Sequence, residues 1–151
     1  MWRTTLGADG AFIDLAIDPA GVTTGAHVLT DVEPPSGVVH VQVPVTRLDT
    51  LLAAEIVTAD RCLLKLDLQG WQLEALKGAD RILDRIEAIL SEVSFFAQAY
   101  EPSIEALVHF IDEHDFALYD ITARWRDNCA HQGDFLFVRR DSPLLADTAW
   151  G

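Results

Sequence analysis

Short apolar runs alternate along this chain with segments whose apolar residues recur every three or four positions, and that alternation predicts an α/β fold. The clearest unit is Leu63-Leu64-Lys65-Leu66-Asp67-Leu68-Gln69-Gly70, followed by Trp71-Gln72-Leu73-Glu74-Ala75-Leu76-Lys77-Gly78-Ala79. It reads as a strand, a tight turn at a glycine and a helix, with a carboxylate at the carboxyl end of the strand. Right-handed crossovers between such units give a mostly parallel sheet. The last two strand-like runs, Phe116–Ile121 and Asp134–Arg139, are joined by a loop with no helix, which predicts an antiparallel C-terminal edge strand.

Each element has its own local signal. Gly7-Ala8-Asp9-Gly10 is a turn cluster followed by the alternating Ala11–Ile17, so residues 2–17 read as a strand end, a tight turn and a second strand. Residues 18–37, with Asp18-Pro19 and Glu33-Pro34-Pro35, read mostly as loop. Val38–Val45 is valine-rich and weakly alternating, a short strand. Thr46-Arg47-Leu48-Asp49 has capping-box spacing and opens a helix to about Ala54. Cys62–Leu68 is the next strand, and Trp71 to about Arg85 the next helix, its buried stripe being Leu73, Leu76, Ala79, Ile82, Leu83 and Ile86. Ala88–Phe95 is a further buried strand. Pro102-Ser103 starts a helix with Ile104, Leu107, Val108 and Ile111 on one face.

The chain has 151 residues, enough for one domain with one core, taken here as residues 1–140. Residues 141–151 carry no pattern and are expected to be a disordered tail. Half of the residues are hydrophobic, which excludes a disordered chain. Eleven basic against 24 acidic residues give a net charge of −13 with no Lys/Arg cluster, which excludes nucleic acid and an anionic membrane face as partners. Cys62 and Cys129 fit no metal spacing, and the five histidines form no ligand set, so no metal is expected. Without a leader or a membrane-length apolar run, the sequence reads as a reduced, soluble, cytoplasmic protein.

Asp67 is the sharpest candidate for chemistry, because ligands of open α/β sheets bind beyond the carboxyl ends of the strands. Its structural alternative is a helix cap, accepting backbone N–H groups of the following turn. Glu92 stands at the equivalent place on the next strand, within Leu90-Ser91-Glu92-Val93-Ser94-Phe95, where a charge needs a partner. A salt bridge to Lys65, or an interaction with a nearby helix end, is its structural alternative. Two carboxylates on adjacent strand ends can orient a hydroxyl or an ammonium. Phe95, Phe96 and Tyr100 follow that strand and either wall a pocket or belong to the core. His131 is either a general base or a solvated loop residue.

The stretch from Leu63 to Ala79 resembles the segment LLK-I/L-D-V/L-Q/E-G-x-E-x-x-x-LKGA of the FkbM family of S-adenosylmethionine-dependent methyltransferases, with Gln72 in place of the first glutamate and Glu74 two residues later. The Ser91-Glu92-Val93 stretch matches the family's S/L-E-V/C pattern. The resemblance implies a Rossmann-like class I methyltransferase sheet. It also implies methyl transfer from S-adenosylmethionine to a hydroxyl of a small-molecule acceptor, a sugar or a secondary metabolite. On that pattern Asp67 and Glu92 are the catalytic candidates, Asp67 and Gln69 line the cofactor side of the cleft, and Phe95, Tyr100 and His131 face the acceptor. In the transfer, holding nucleophile, methyl and sulfonium in line supplies most of the rate.

Neither GxGxxG nor the family's D-x-G-A-N-x-G loop occurs, and neither does its E-P strand end. The chain enters the family's pattern at the third strand, around Leu6–Gly10, so the first strands of the usual domain are expected to be missing. On that reading the isolated chain binds S-adenosylmethionine weakly or not at all and is inactive, while a complete parent protein binds it. The alternative is a non-catalytic remnant, or a partner-binding module that keeps the fold. Either way the Cys62–Leu68 strand is left with an open edge, to be covered by the N-terminal hairpin near residues 2–17 or paired with another copy, and association or poor solubility is expected.

Overall fold

The computed structural model describes residues 5–8, 12–17, 26–28, 39–57, 61–96, 101–126 and 128–146. Strands β1 (Thr5–Leu6), β2 (Phe12–Ile17), β3 (His27–Val28) and β4 (Val39–Thr46) form one sheet, in the order β1-β4-β2-β3. Helices α1 (Leu48–Leu51) and α2 (Ala53–Val57) follow. Strands β5 (Leu63–Leu66), β6 (Ala88–Ser94), β7 (Phe116–Arg126) and β8 (Cys129–Arg139) form a second sheet, in the order β5-β6-β8-β7. Helix α3 (Gln72–Lys77) links β5 to β6, and α4 (Ile104–Glu113) links β6 to β7.

This is a mixed α/β architecture, but the sheet is not mostly parallel. Of the six strand pairings among the described residues, only β1–β4 and β5–β6 are parallel. The antiparallel strand is also not at the edge: β8 lies between β6 and β7. Burial explains the order. Gly133, Phe135, Phe137 and Val138 of β8 are all buried, whereas β7 is exposed from Leu118 through Ala123, so the more apolar strand takes the interior.

The N-terminal sheet differs from its expectation too. β1 and β2 do not pair with each other; β4 runs between them, parallel to β1 and antiparallel to β2. The stretch read as loop contributes β3, which pairs with β2 through Leu15 and Ala16. Two residues are too few for a periodic signal. β7 and β8 each run for 11 residues, longer than their apolar cores suggest, because each satisfies the other's backbone.

The capping box does not form. Thr46 stays extended, paired with Leu6, and Arg47 is the N-cap of α1 without a side-chain cap bond. The Asp49 carboxylate instead accepts from Arg47 Nε at 3.1 Å and Nη2 at 2.6 Å. The helix expected through Arg85 ends at Lys77, with Gly78 as its C-cap. A Cβ on Gly78 would stand 2.3 Å from the Gly7 carbonyl oxygen, and Gly78 O accepts from Asp49 N at 3.0 Å. This close approach takes the backbone out of the helix, and a 3-10 turn at Leu83–Arg85 leads into β6. The apolar stripe still works: Leu76, Ala79, Ile82, Leu83 and Ile86 all lie in the core with Leu66, Ile89, Ile111, Phe116 and Phe137.

Helix α4 follows its signals closely. Ser103 is its N-cap and accepts from Ala106 N at 3.1 Å, and Leu107 and Ile111 are buried. Beyond β8, Pro143–Leu145 forms a 3-10 turn whose preceding Ser142 is buried and donates to Glu87 Oε1 at 2.8 Å. Residues 147–151 lie outside the described residues. No helix among the described residues is long and apolar enough to cross a membrane.

Candidate functional site at the ends of β5 and β6

β5 and β6 run parallel, Leu63 opposite Ala88 and Leu66 opposite Ser91, so their carboxyl ends open on the same side. The turn after β5 is built from two left-handed residues, Gln69 at φ 46° and Gly70 at φ 92°. That conformation suits glycine and is uncommon for glutamine. It folds the Gln69 side chain back across the strand ends. There the Gln69 Nε2 donates both to Asp67 Oδ1 at 3.1 Å and to Glu92 Oε1 at 3.3 Å, linking the two carboxylates picked out in the sequence.

Asp67 does not cap α3. The N-cap of that helix is Trp71, with no side-chain cap bond, and the Asp67 carboxylate faces Lys65 Nζ at 3.4 Å as well as Gln69. Its side chain is 46% exposed. Lys65 is therefore the neighbour of Asp67, and the bridge from Lys65 to Glu92 that the sequence allowed is not the arrangement seen.

Glu92 is buried, only 8% exposed, and three glutamines hold it. Gln69 and Gln132 both donate to its Oε1, and Gln72 Nε2 donates to its backbone oxygen at 3.1 Å. The amide donors satisfy part of the acceptor capacity of the Glu92 carboxylate. Two positions on along β6, Ser94 Oγ donates to Glu101 Oε1 at 3.0 Å. Gln69, Gln72, Glu92, Ser94 and Glu101, but not Gln132, line a cleft with Gly70, Pro102 and the apolar Val93, Ile104 and Leu107; it encloses about 20 Å³, room for one water-sized group.

The remaining candidates are placed differently. The Phe95 ring, half-buried, packs on Phe135 at 5.8 Å between centroids, against the core. His131 is exposed, with its ring 6.5 Å from that of Phe96, and it is the next residue, Gln132, that reaches Glu92. Tyr100 lies outside the described residues. No group of His, Cys, Asp and Glu side chains among the described residues is arranged to hold a metal.

Sequence reading passed over Gln72 (seen only as a substitution), Ser94, Glu101 and Gln132. A signal existed for Ser94: on a strand, residues two apart share a face, so Ser94 accompanies Glu92. Gln132 lies opposite Ser94 in the β6–β8 register, which only the strand order reveals.

The fold is mixed α/β, and its carboxylates and amides gather at the carboxyl ends of adjacent parallel strands, the place where open α/β sheets bind ligands. The sequence model of the methyltransferase FkbM domain matches residues 3–118, and the chain belongs to that family. None of the curated proteins and none of the solved structures matches the chain.

Proposed function

We propose that this methyltransferase domain serves S-adenosylmethionine-dependent O-methylation of a hydroxyl on a sugar or secondary metabolite, in a Rossmann-like frame, at the ends of β5 and β6. The observation that carries the reading is the Asp67–Gln69–Glu92 chain of hydrogen bonds across two adjacent strand ends, within a segment of the FkbM family. Asp67 is half-exposed beside the free side of β5, where no described strand pairs, and Gln69 adjoins it. A carboxylate and an amide there suit a cofactor that carries ribose hydroxyls and an ammonium, and they are the residues that would hold it. The cofactor, when bound, supplies an electrophilic methyl group on a sulfonium. Glu92, held by its glutamines, orients the acceptor hydroxyl and favours loss of its proton.

A second reading, a non-catalytic partner-binding module, is favoured by the small enclosed volume of the cleft, about 20 Å³, against the several hundred typical of ligand pockets. Methyl transfer separates the two. In the full reading frame that encodes this chain, turnover with radiolabelled S-adenosylmethionine and a panel of glycosides should fall about 100-fold in Glu92→Gln, in line with loss of a positioned acid-base group. Saturable binding of a protein partner with no methyl transfer on any acceptor upholds the second reading.

A further inference from the structure

We propose that β7 is a pairing edge for a second copy of this chain: two β7 strands run antiparallel about a two-fold axis at Thr122 and join their sheets into one. The inference stands apart from the methyl-transfer reading and uses none of its residues.

β7 is the last strand of its sheet, 11 residues long, and no described strand pairs with its outer side. It carries none of the prolines or lysines that blunt such an edge. Which backbone groups face outward follows from Thr122. A Cβ on Gly133 of β8 would stand 2.8 Å from Thr122 O, so that carbonyl turns towards β8. Orientation alternates along an antiparallel strand, so Ile121 and Ala123 turn their N–H and C=O groups to the open side. The Ile121 N–H agrees with this, since it donates at 2.8 Å to Oδ1 of Asp120, a side chain of its own strand.

The sequence of β7 is self-complementary about the same point. Irregularities between Leu118 and Asp120 and between Arg124 and Trp125 bracket a regular run, Asp120–Arg124, whose centre is Thr122. An antiparallel pair centred there sets Asp120 opposite Arg124 of the second copy, twice over, and Ile121 opposite Ala123. Opposite charges and apolar residues are the cross-strand neighbours that stabilise a sheet. Ile121 and Ala123 share one face of the strand, and Asp120, Thr122 and Arg124 the other, so apolar and ionic pairs do not compete. Beyond the run, Tyr119 and Trp125, both exposed, come to the same end of the pair, one from each copy. On pairing, the Ile121 N–H passes from Asp120 to the backbone of the second copy, and Asp120 turns to a charge. β5, at the other end of the sheet, has Lys65 as its single charge and offers no such complement. An isologous contact of this kind closes at two copies.

Charge reversal tests this in the Leu63→Lys chain, where the β5 edge is silenced. In sedimentation that chain should still dimerise as its concentration rises. Asp120→Arg and Arg124→Asp should each weaken its self-association at least tenfold, because each sets like charges opposite one another at both pairs. An equimolar mixture of the two should regain a dimer within about threefold of the parent, since Asp and Arg face one another again at both positions. A crosslink decides where a reversed chain fails to fold. With Cys62 and Cys129 replaced by serine, Thr122→Cys should oxidise to a disulfide-linked dimer, the Cα atoms of such a non-hydrogen-bonded pair lying about 4.5 Å apart. Ala123→Cys, off the axis, should not. A monomer at every concentration in the Leu63→Lys chain, two folded reversed chains that stay apart when mixed, or crosslinking at Ala123 in place of Thr122 overturns the proposal.

Discussion

Arg47 is the residue whose loss the structure prices most directly. It bonds to Asp49 through Nε and Nη2, while its Nη1 donates to Ala8 O at 2.9 Å and Nη2 reaches Lys77 O at 3.4 Å. One guanidinium thus ties the end of β1, the start of α1 and the end of α3. The Asp49 side chain is 2% exposed against 27% for Arg47. The Arg47 hydrogen bond, first, and that of Thr50 hold the Asp49 carboxyl below its usual value, against the opposing effect of burial. Breaking a buried pair from one side costs roughly 3–5 kcal/mol. Arg81 stands 3.9 Å from Asp49 and takes part of the role, so Arg47→Met should cost about 3 kcal/mol at pH 7. At roughly 2–4 °C per kcal/mol for a chain of this size, the melting temperature should fall by about 6–12 °C. Because the folded carboxyl titrates below its unfolded value, near 3.8, the stabilisation is fully present above that pH and is lost as pH falls through the lower folded value. Urea unfolding of both proteins at pH 7 and near pH 3 should therefore give a large gap that narrows in acid. Adding Asp49→Leu to Arg47→Met should recover part of the loss, since it removes the stranded charge. A gap below about 1 kcal/mol at pH 7, or one that is the same at both pH values, refutes the reasoning.

Gly78→Ala should destabilise by about 2–3 kcal/mol in the same assay, because its Cβ would meet the Gly7 carbonyl, a backbone atom that cannot swing aside; a neutral result would mean that the two segments do not touch. Asp67→Ala should leave stability within about 0.5 kcal/mol, since the side chain is half-exposed and caps nothing, yet lower turnover at least tenfold in the full reading frame. A melting temperature that falls in step with activity would make Asp67 a structural residue. β5 pairs on one side only among the described residues and exposes Leu63, so sedimentation should show association that rises with concentration and weakens in Leu63→Lys. A monomer at every concentration would show that the edge is covered.

The local features of this protein were legible in its sequence because their causes are local. The run from Leu63 to Gly78 specifies a strand, a left-handed turn and a helix through apolar spacing and a glycine, and the same letters carry the family. Ser103 announced the start of α4, and the buried stripe from Leu76 to Ile86 was right even where the helix was not. The tertiary structure decided what depends on residues far apart. It placed β8 inside the sheet, because competition for burial between β7 and β8 is settled only once both have met β6. It ended α3 at Gly78, because the obstacle is Gly7, some seventy residues earlier. And it made Glu92 the centre of the candidate site by bringing Gln132 to it from 40 residues away and placing Glu101, beside Ser94, across Gly70. Periodicity fixes which face of an element is apolar; which side chains meet across elements follows from packing those faces together, and no single segment holds that information.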